Sequence, residues 1–165
     1  MEIIDHGPKA AELFCRGYNC SQSVLLAFSD LTGLDEVFAA RLASAFGGGI
    51  GRLRETCGAL SGMLMAAGLL YGYSVPGDDR VKGDYYALVQ RLAGEFRAEA
   101  GSLSCREILG NPPTDPTPTP RTAEFYAKRP CAHMALTAAR ILDRYLRSNP
   151  PIVRPGGADM PQGSA

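Results

Sequence analysis

Apolar residues in this chain recur at three- and four-residue intervals, and alternating Val, Ile and Thr runs bounded by turns are nearly absent. That spacing gives each segment one apolar stripe, so the expected fold class is all-α. A first helix is predicted from about Pro8 to Arg16, with proline at its opening and Gly17 just past its end. A second, from about Cys20 to Leu31, presents Val24, Leu25 and Phe28 on one face and stops at Gly33. A third starts after Asp35, which can cap it, and runs to about Phe46, where Gly47, Gly48, Gly49 and Gly51 break the chain.

The fourth helix is predicted from about Cys57 to Tyr71, within a stretch, Cys57 to Tyr73, that carries no charged residue. That stretch falls short of the roughly 20 apolar residues that span a bilayer and lacks aromatic and basic anchors on both sides. Gly58, Gly62 and Ala66 recur every fourth position, which lets neighbouring backbones approach. A buried central helix is the reading, with no membrane insertion and with room for a homodimer. A fifth helix, Asp79 to Ala100, ends at Gly101 and carries Leu88, Leu92 and Phe96 as its buried stripe. A short sixth spans Cys105 to Leu109. Asn111 to Pro120 cannot continue it, because proline removes backbone donors, and reads as an extended surface strap. The last helix runs from about Pro130 to Leu146. Residues 1–148 are thus expected to form one helical domain, and the Pro- and Gly-rich residues 149–165 a disordered tail.

At 165 residues, with 45% hydrophobic side chains, the chain can bury a core without crosslinks. Seventeen basic residues balance seventeen acidic ones, so no overall field draws nucleic acid or an anionic membrane surface. Arg140, Arg144 and Arg147 fall at helical spacing and read as a solvated face. The first residues, Met1 to Pro8, show no basic stretch followed by an apolar core, so the expected compartment is the reducing cytoplasm. Five cysteines in such a compartment are more often catalytic, metal-binding or simply buried than crosslinked.

Four of the five follow helix-start signals. Asn19 can cap the helix opening at Cys20, with Gln22 placed to complete a capping box; Thr56 precedes Cys57; Ser104 precedes Cys105, with Glu107 three residues after the serine; and Pro130 precedes Cys131. Unpaired N–H groups and the helix dipole favour an anion in a first turn, so a thiol there is more easily a thiolate. The thiolate is both the nucleophile of disulfide exchange and a ligand for soft metals. The structural alternative is that free cysteine behaves as a small buried hydrophobe. Cys15, near the end of the first helix, fits that alternative and reads as a packing residue, although its nearness to Cys20 also suits a resolving thiol.

These residues resemble the C_GCAxxG_C_C family, whose members are described as redox-active. The carrying segments are Gly17-Tyr-Asn-Cys20-Ser-Gln22, Phe46-Gly-Gly-Gly-Ile-Gly-Arg52 leading to Cys57-Gly-Ala-Leu-Ser-Gly62, Cys105-Arg-Glu-Ile-Leu-Gly110, and Cys131, over roughly residues 8 to 148. The family label writes the central motif Gly-Cys-Ala, whereas this chain has Cys-Gly-Ala. The resemblance implies a redox role and settles no substrate.

The cysteines are 37, 48 and 26 positions apart, so there is no Cys-x-x-Cys of the thioredoxin, zinc-ribbon or common ferredoxin kind. Three readings stay open for Cys20, Cys57, Cys105 and Cys131: reversible thiol/disulfide pairs serving a redox partner protein or a small thiol or electron donor, a 2Fe–2S cluster, or a structural zinc in an interaction module. Arg52 and Arg54 can add positive charge beside Cys57 or receive an anionic partner, with Arg52 the named electrostatic helper. The Gly47 to Arg52 loop matches neither nucleotide motif; its glycines are expected to let backbone pass close to Cys57. His133, two residues after Cys131, lies about 200° around the helix and points away. With His6 and His133 the only histidines, no Ser-His-Asp hydrolase arrangement is apparent.

Overall fold

The computed structural model describes residues 4–151, and most of the expected tail, residues 152–165, lies outside it. The described chain is all-α: α1 Gly7–Cys15, α2 Cys20–Ala27, α3 Ser29–Thr32, α4 Glu36–Ala43, α5 Gly47–Ile50, α6 Gly58–Tyr71, α7 Asp79–Ala100, α8 Cys105–Leu109, α9 Ala123–Lys128 and α10 Cys131–Ser148, with a 3-10 turn at Ser44–Phe46. No strand forms among the described residues. One antiparallel bridge joins Thr56 to Ser104.

The boundaries follow local chemistry. Asn19 and Gln22 exchange side-chain and backbone hydrogen bonds in a complete capping box. The Asp35 carboxylate accepts from the Phe38 N–H at 2.9 Å, and left-handed glycines end four helices, Gly33 after α3, Gly51 after α5, Gly101 after α7 and Gly110 after α8. The helix expected over Cys20 to Leu31 is interrupted at Phe28, whose φ of −93° and ψ of 15° separate α2 from α3. α9 was not expected. It sits between the proline strap and Pro130, and the Thr122 hydroxyl accepts from the Phe125 N–H to cap it.

The core is built around α2, which packs on α1, α4, α6 and α10. Every residue of α2 except Gln22 is buried, including Ser21 and Ser23. α6 lies against it as expected: Gly58, Gly62 and Ala66 are all buried, and a side chain at Gly62 would stand 2.5 Å from the Ser21 carbonyl oxygen. Small residues therefore set the α2–α6 distance. α7 contributes Leu92 and Phe96, both fully buried, and α10 closes the core with Met134, Ile141, Leu142 and Leu146. No described helix is long and apolar enough to cross a membrane.

A polar clasp ties the start of α1 to the other end of the chain. Buried His6 stacks on Phe28 at 4.3 Å and places Nδ1 2.6 Å from buried Asp143. Its backbone N–H donates to the second Asp143 oxygen at 2.8 Å, and Nε2 faces the Asp30 carboxylate at 3.2 Å. The histidine dismissed for hydrolysis is thus a structural tether. It lies apart from the cysteines.

Candidate functional site

The sequence brings Cys57 and Cys105 together through the segments in front of them. The Cys57 N–H donates to the Leu103 carbonyl at 2.8 Å and the Cys105 N–H to the Glu55 carbonyl at 2.6 Å, on either side of the Thr56–Ser104 bridge. Thr56 therefore does not cap α6. Cys57 itself occupies the N-cap position, and Cys105 opens α8 behind Ser104, whose hydroxyl accepts from the Glu107 N–H. The Glu107 carboxylate accepts from the Ser102 hydroxyl instead of returning to Ser104, and Ser102 in turn accepts from the Ser104 N–H.

The glycine loop joins this pair to Cys20. Gly48, Gly49 and Gly51 are left-handed, and so are Ile50, Arg52 and Arg54. A side chain at Gly49 would meet Cys105 Cβ at 2.5 Å, and one at Gly58 would collide with the Cys20 sulfur and the Phe46 carbonyl. The loop lies against Cys105 through Gly49, directs the Gly48 N–H at the Cys20 sulfur, and shares the cavity wall with Cys57. Cys131 completes the set from the first position of α10, behind Pro130.

Cys20, Cys57, Cys105 and Cys131 all line one cavity of about 320 Å³. The first three are buried, Cys131 is half-buried, and all are free thiols. Cys15 is exposed at the end of α1 and does not line the cavity, so the expectation of a packing residue is not met. His133 is exposed and away from the cavity wall, as its helical phase required.

The electrostatics differ from the thiolate nest expected of four helix starts. Burial raises the Cys20 thiol above its ordinary value, outweighing N–H groups of Gly48, Ser21 and Cys20 that point at the sulfur. Burial raises Cys57 too, reinforced by Cys20 and opposed by the Ala59 and Leu60 N–H groups of the first turn. Cys131 is pushed up to about 12, by burial first and then by Cys20, against the pull of Arg129. Desolvation thus beats the helix dipole at these three positions. They rest as neutral thiols.

Arginines form the rest of the polar wall. Arg52 lines the cavity, but its guanidinium is taken up by the strap: it donates to the Asp115 carbonyl at 2.6 Å and to the Thr119 hydroxyl at 3.1 Å, and pairs with the Asp115 carboxylate at 3.6 Å. Arg54 lies 4.0 Å from Cys105 Sγ, while its Nε donates to the Pro113 carbonyl at 2.9 Å, and Arg129 acts on the Cys131 thiol. The strap forms no helix and bends around Asp115, whose carboxylate accepts from the Thr117 N–H; Arg52 and Arg54 fasten it, with Pro118 and Thr119 in the cavity wall. Arg121, stacked over Phe14 at 4.4 Å, and Arg129 were not singled out from the sequence. Among the described residues, no group of three or more His, Cys, Asp or Glu side chains is placed to hold a metal ion.

Fold and site define an all-α protein in which four of the five cysteines, drawn from four places in the chain, share one arginine-lined cavity. Residues 18–145 match the family model described as "Putative redox-active protein (C_GCAxxG_C_C)", and the chain belongs to that family. No curated protein and no solved structure matches the chain.

Proposed function

We propose that the four cavity cysteines carry reversible thiol/disulfide chemistry with a partner protein or a small thiol in a reducing cytoplasm. The carrying observation is that Cys20, Cys57, Cys105 and Cys131 reach one cavity while Cys15 stays outside it. Two cavity thiols would form one disulfide, and the partner's disulfide would be reduced to two thiols. The two protons and two electrons lost on one side are gained on the other. Disulfide geometry demands close sulfurs. The reading therefore requires the sulfurs to move together, and the glycine loop between Cys20 and Cys105 is the segment suited to yield.

The raised thiol values give this reading a pH signature. Cys20, Cys57 and Cys131 keep their protons well above neutrality, so oxidation of a pair drawn from these three releases two protons over a wide range. For such a pair the midpoint potential should fall by about 59 mV per pH unit and keep that slope to about pH 10, past the value near 8.5 at which ordinary thiols flatten it. Potentials measured in thiol/disulfide buffers across that range check this, and a slope that halves near neutrality would contradict neutral buried thiols. Cys105→Ser should abolish the transition or leave a single altered pair, whereas Cys15→Ser should leave it unchanged.

A further inference from the structure

Arg54 is 2% exposed, lines the cysteine cavity, and has a guanidinium nitrogen, Nη2, that is buried without any hydrogen-bond partner. Its other nitrogens reach the Pro113 carbonyl and, at 4.0 Å, the Cys105 sulfur, neither of which is a carboxylate. A buried cation without a counter-charge is costly, and native structures normally pair it. Arg52, Arg121 and Arg129 line the same cavity, no Asp or Glu does, and among the described residues only Arg52 of the four has a carboxylate partner. The loop also holds Arg54 in the left-handed region, with φ of 65°, a conformation that persists only where surrounding contacts enforce it.

We propose that this cavity binds a small oxyanion, a carboxylate or a tetrahedral anion, with Arg54 as its main ligand and Arg129 as a second cationic contact at the wall. Such an ion supplies the acceptor that Nη2 lacks. The volume of about 320 Å³ sits at the low end for small-molecule pockets and suits a small metabolite rather than a dinucleotide. Arg52 serves chiefly to hold the strap, and Arg121, stacked on Phe14 and donating to the Phe14 and Tyr18 carbonyls, adds field more than hydrogen bonds. The proposal deepens the thiol reading by giving the charge of the molecule the cysteines meet, and rests on that reading only in calling it a substrate.

The test uses the fully reduced protein, so its outcome is independent of whether the thiols cycle. Phosphate, sulfate or acetate replaces chloride at constant ionic strength while the melting temperature and the heat of binding are recorded. At least one of the three should raise the melting temperature saturably, with half-effect at about 1 mM or below, and acetate against phosphate separates carboxylate from tetrahedral preference. Arg54→Gln and Arg129→Gln should each weaken binding by about tenfold or more. Arg140→Gln, on the outer surface, and Cys15→Ser, outside the cavity, should retain it. Should Arg54→Gln fail to fold, Arg129→Gln carries the test, together with protection of the cavity thiols from iodoacetamide by the bound anion. No saturable effect from any of the three anions, or unchanged affinity in the Arg129→Gln protein, would overturn the proposal.

Discussion

Asp143→Ala is expected to lower stability by about 3 kcal/mol, the lower end of the cost of removing one partner from a buried charged pair. In a domain of this size that corresponds to a melting temperature lower by about 10 °C. Asp143 answers both the Nδ1 and the backbone N–H of fully buried His6, and neither group can reach water when the carboxylate is gone. Asp30 remains on Nε2, but its side chain is half exposed and solvent screens it. The clasp also gives stability a pH dependence of definite sign. Burial pulls the His6 imidazole down, Asp143 by hydrogen bond and charge and then Asp30 pull it up, and the net folded value lies above the ordinary 6.5. The charge-dependent stabilisation is therefore present in full below pH 6.5 and lost as pH rises through the raised value. Thermal melts from about pH 6 to about pH 9 should show the wild type losing stability faster than Asp143→Asn. Parallel curves would mean that His6 is neutral throughout.

Gly49→Ala should be as damaging, by about 3 kcal/mol, because two costs coincide: a left-handed backbone for a residue with a side chain, and overpacking against atoms that cannot yield. Its φ is 69°, and the added carbon would stand 2.5 Å from Cys105 Cβ, 2.9 Å from the Glu55 nitrogen and 3.0 Å from the Arg54 carbonyl carbon. Gly51 is the control. It is also left-handed, with φ of 54°, but nothing lies within 4 Å of its missing side chain. Gly51→Ala should therefore cost only the backbone term, about 1 kcal/mol. Equal losses in the two variants, read by denaturant titration, would show that the loop does not bear on Cys105. Where Gly49→Ala still folds, Cys105 should react faster with alkylating reagents than in the wild type, since the loop that covers it has been displaced.

The helices were legible because their signals are local. The Asn19–Gln22 box, Asp35 and the glycines after α3 and α7 act within a few residues of the ends they set. α9 carried such a signal in Thr122, but its neighbouring prolines masked it. The four cysteines could be picked out by their positions at helix openings. Their meeting depends on the Thr56–Ser104 bridge and on glycine contacts between distant segments, which no local pattern encodes. The protonation state was illegible for the same reason: the dipole of a first turn can be read from sequence, whereas desolvation of a sulfur depends on what the rest of the chain lays over it. The centrality of α2 was hidden by Ser21 and Ser23, polar in composition yet buried, with the Ser23 hydroxyl satisfied by the Asn19 carbonyl at 2.7 Å. Arg54 shows the limit most plainly, since its importance lies in the acceptor it lacks.

The most direct measurement is a count of alkylatable thiols, residue by residue by mass spectrometry, on protein purified without oxygen and then equilibrated with a mild disulfide oxidant, with bound metal assayed alongside. Thiols should disappear in pairs from among Cys20, Cys57, Cys105 and Cys131, return on reduction, and leave Cys15 free, in protein without stoichiometric metal. Four cavity thiols that survive the oxidant unchanged, or that become reactive only after a bound metal is stripped away, would contradict the account.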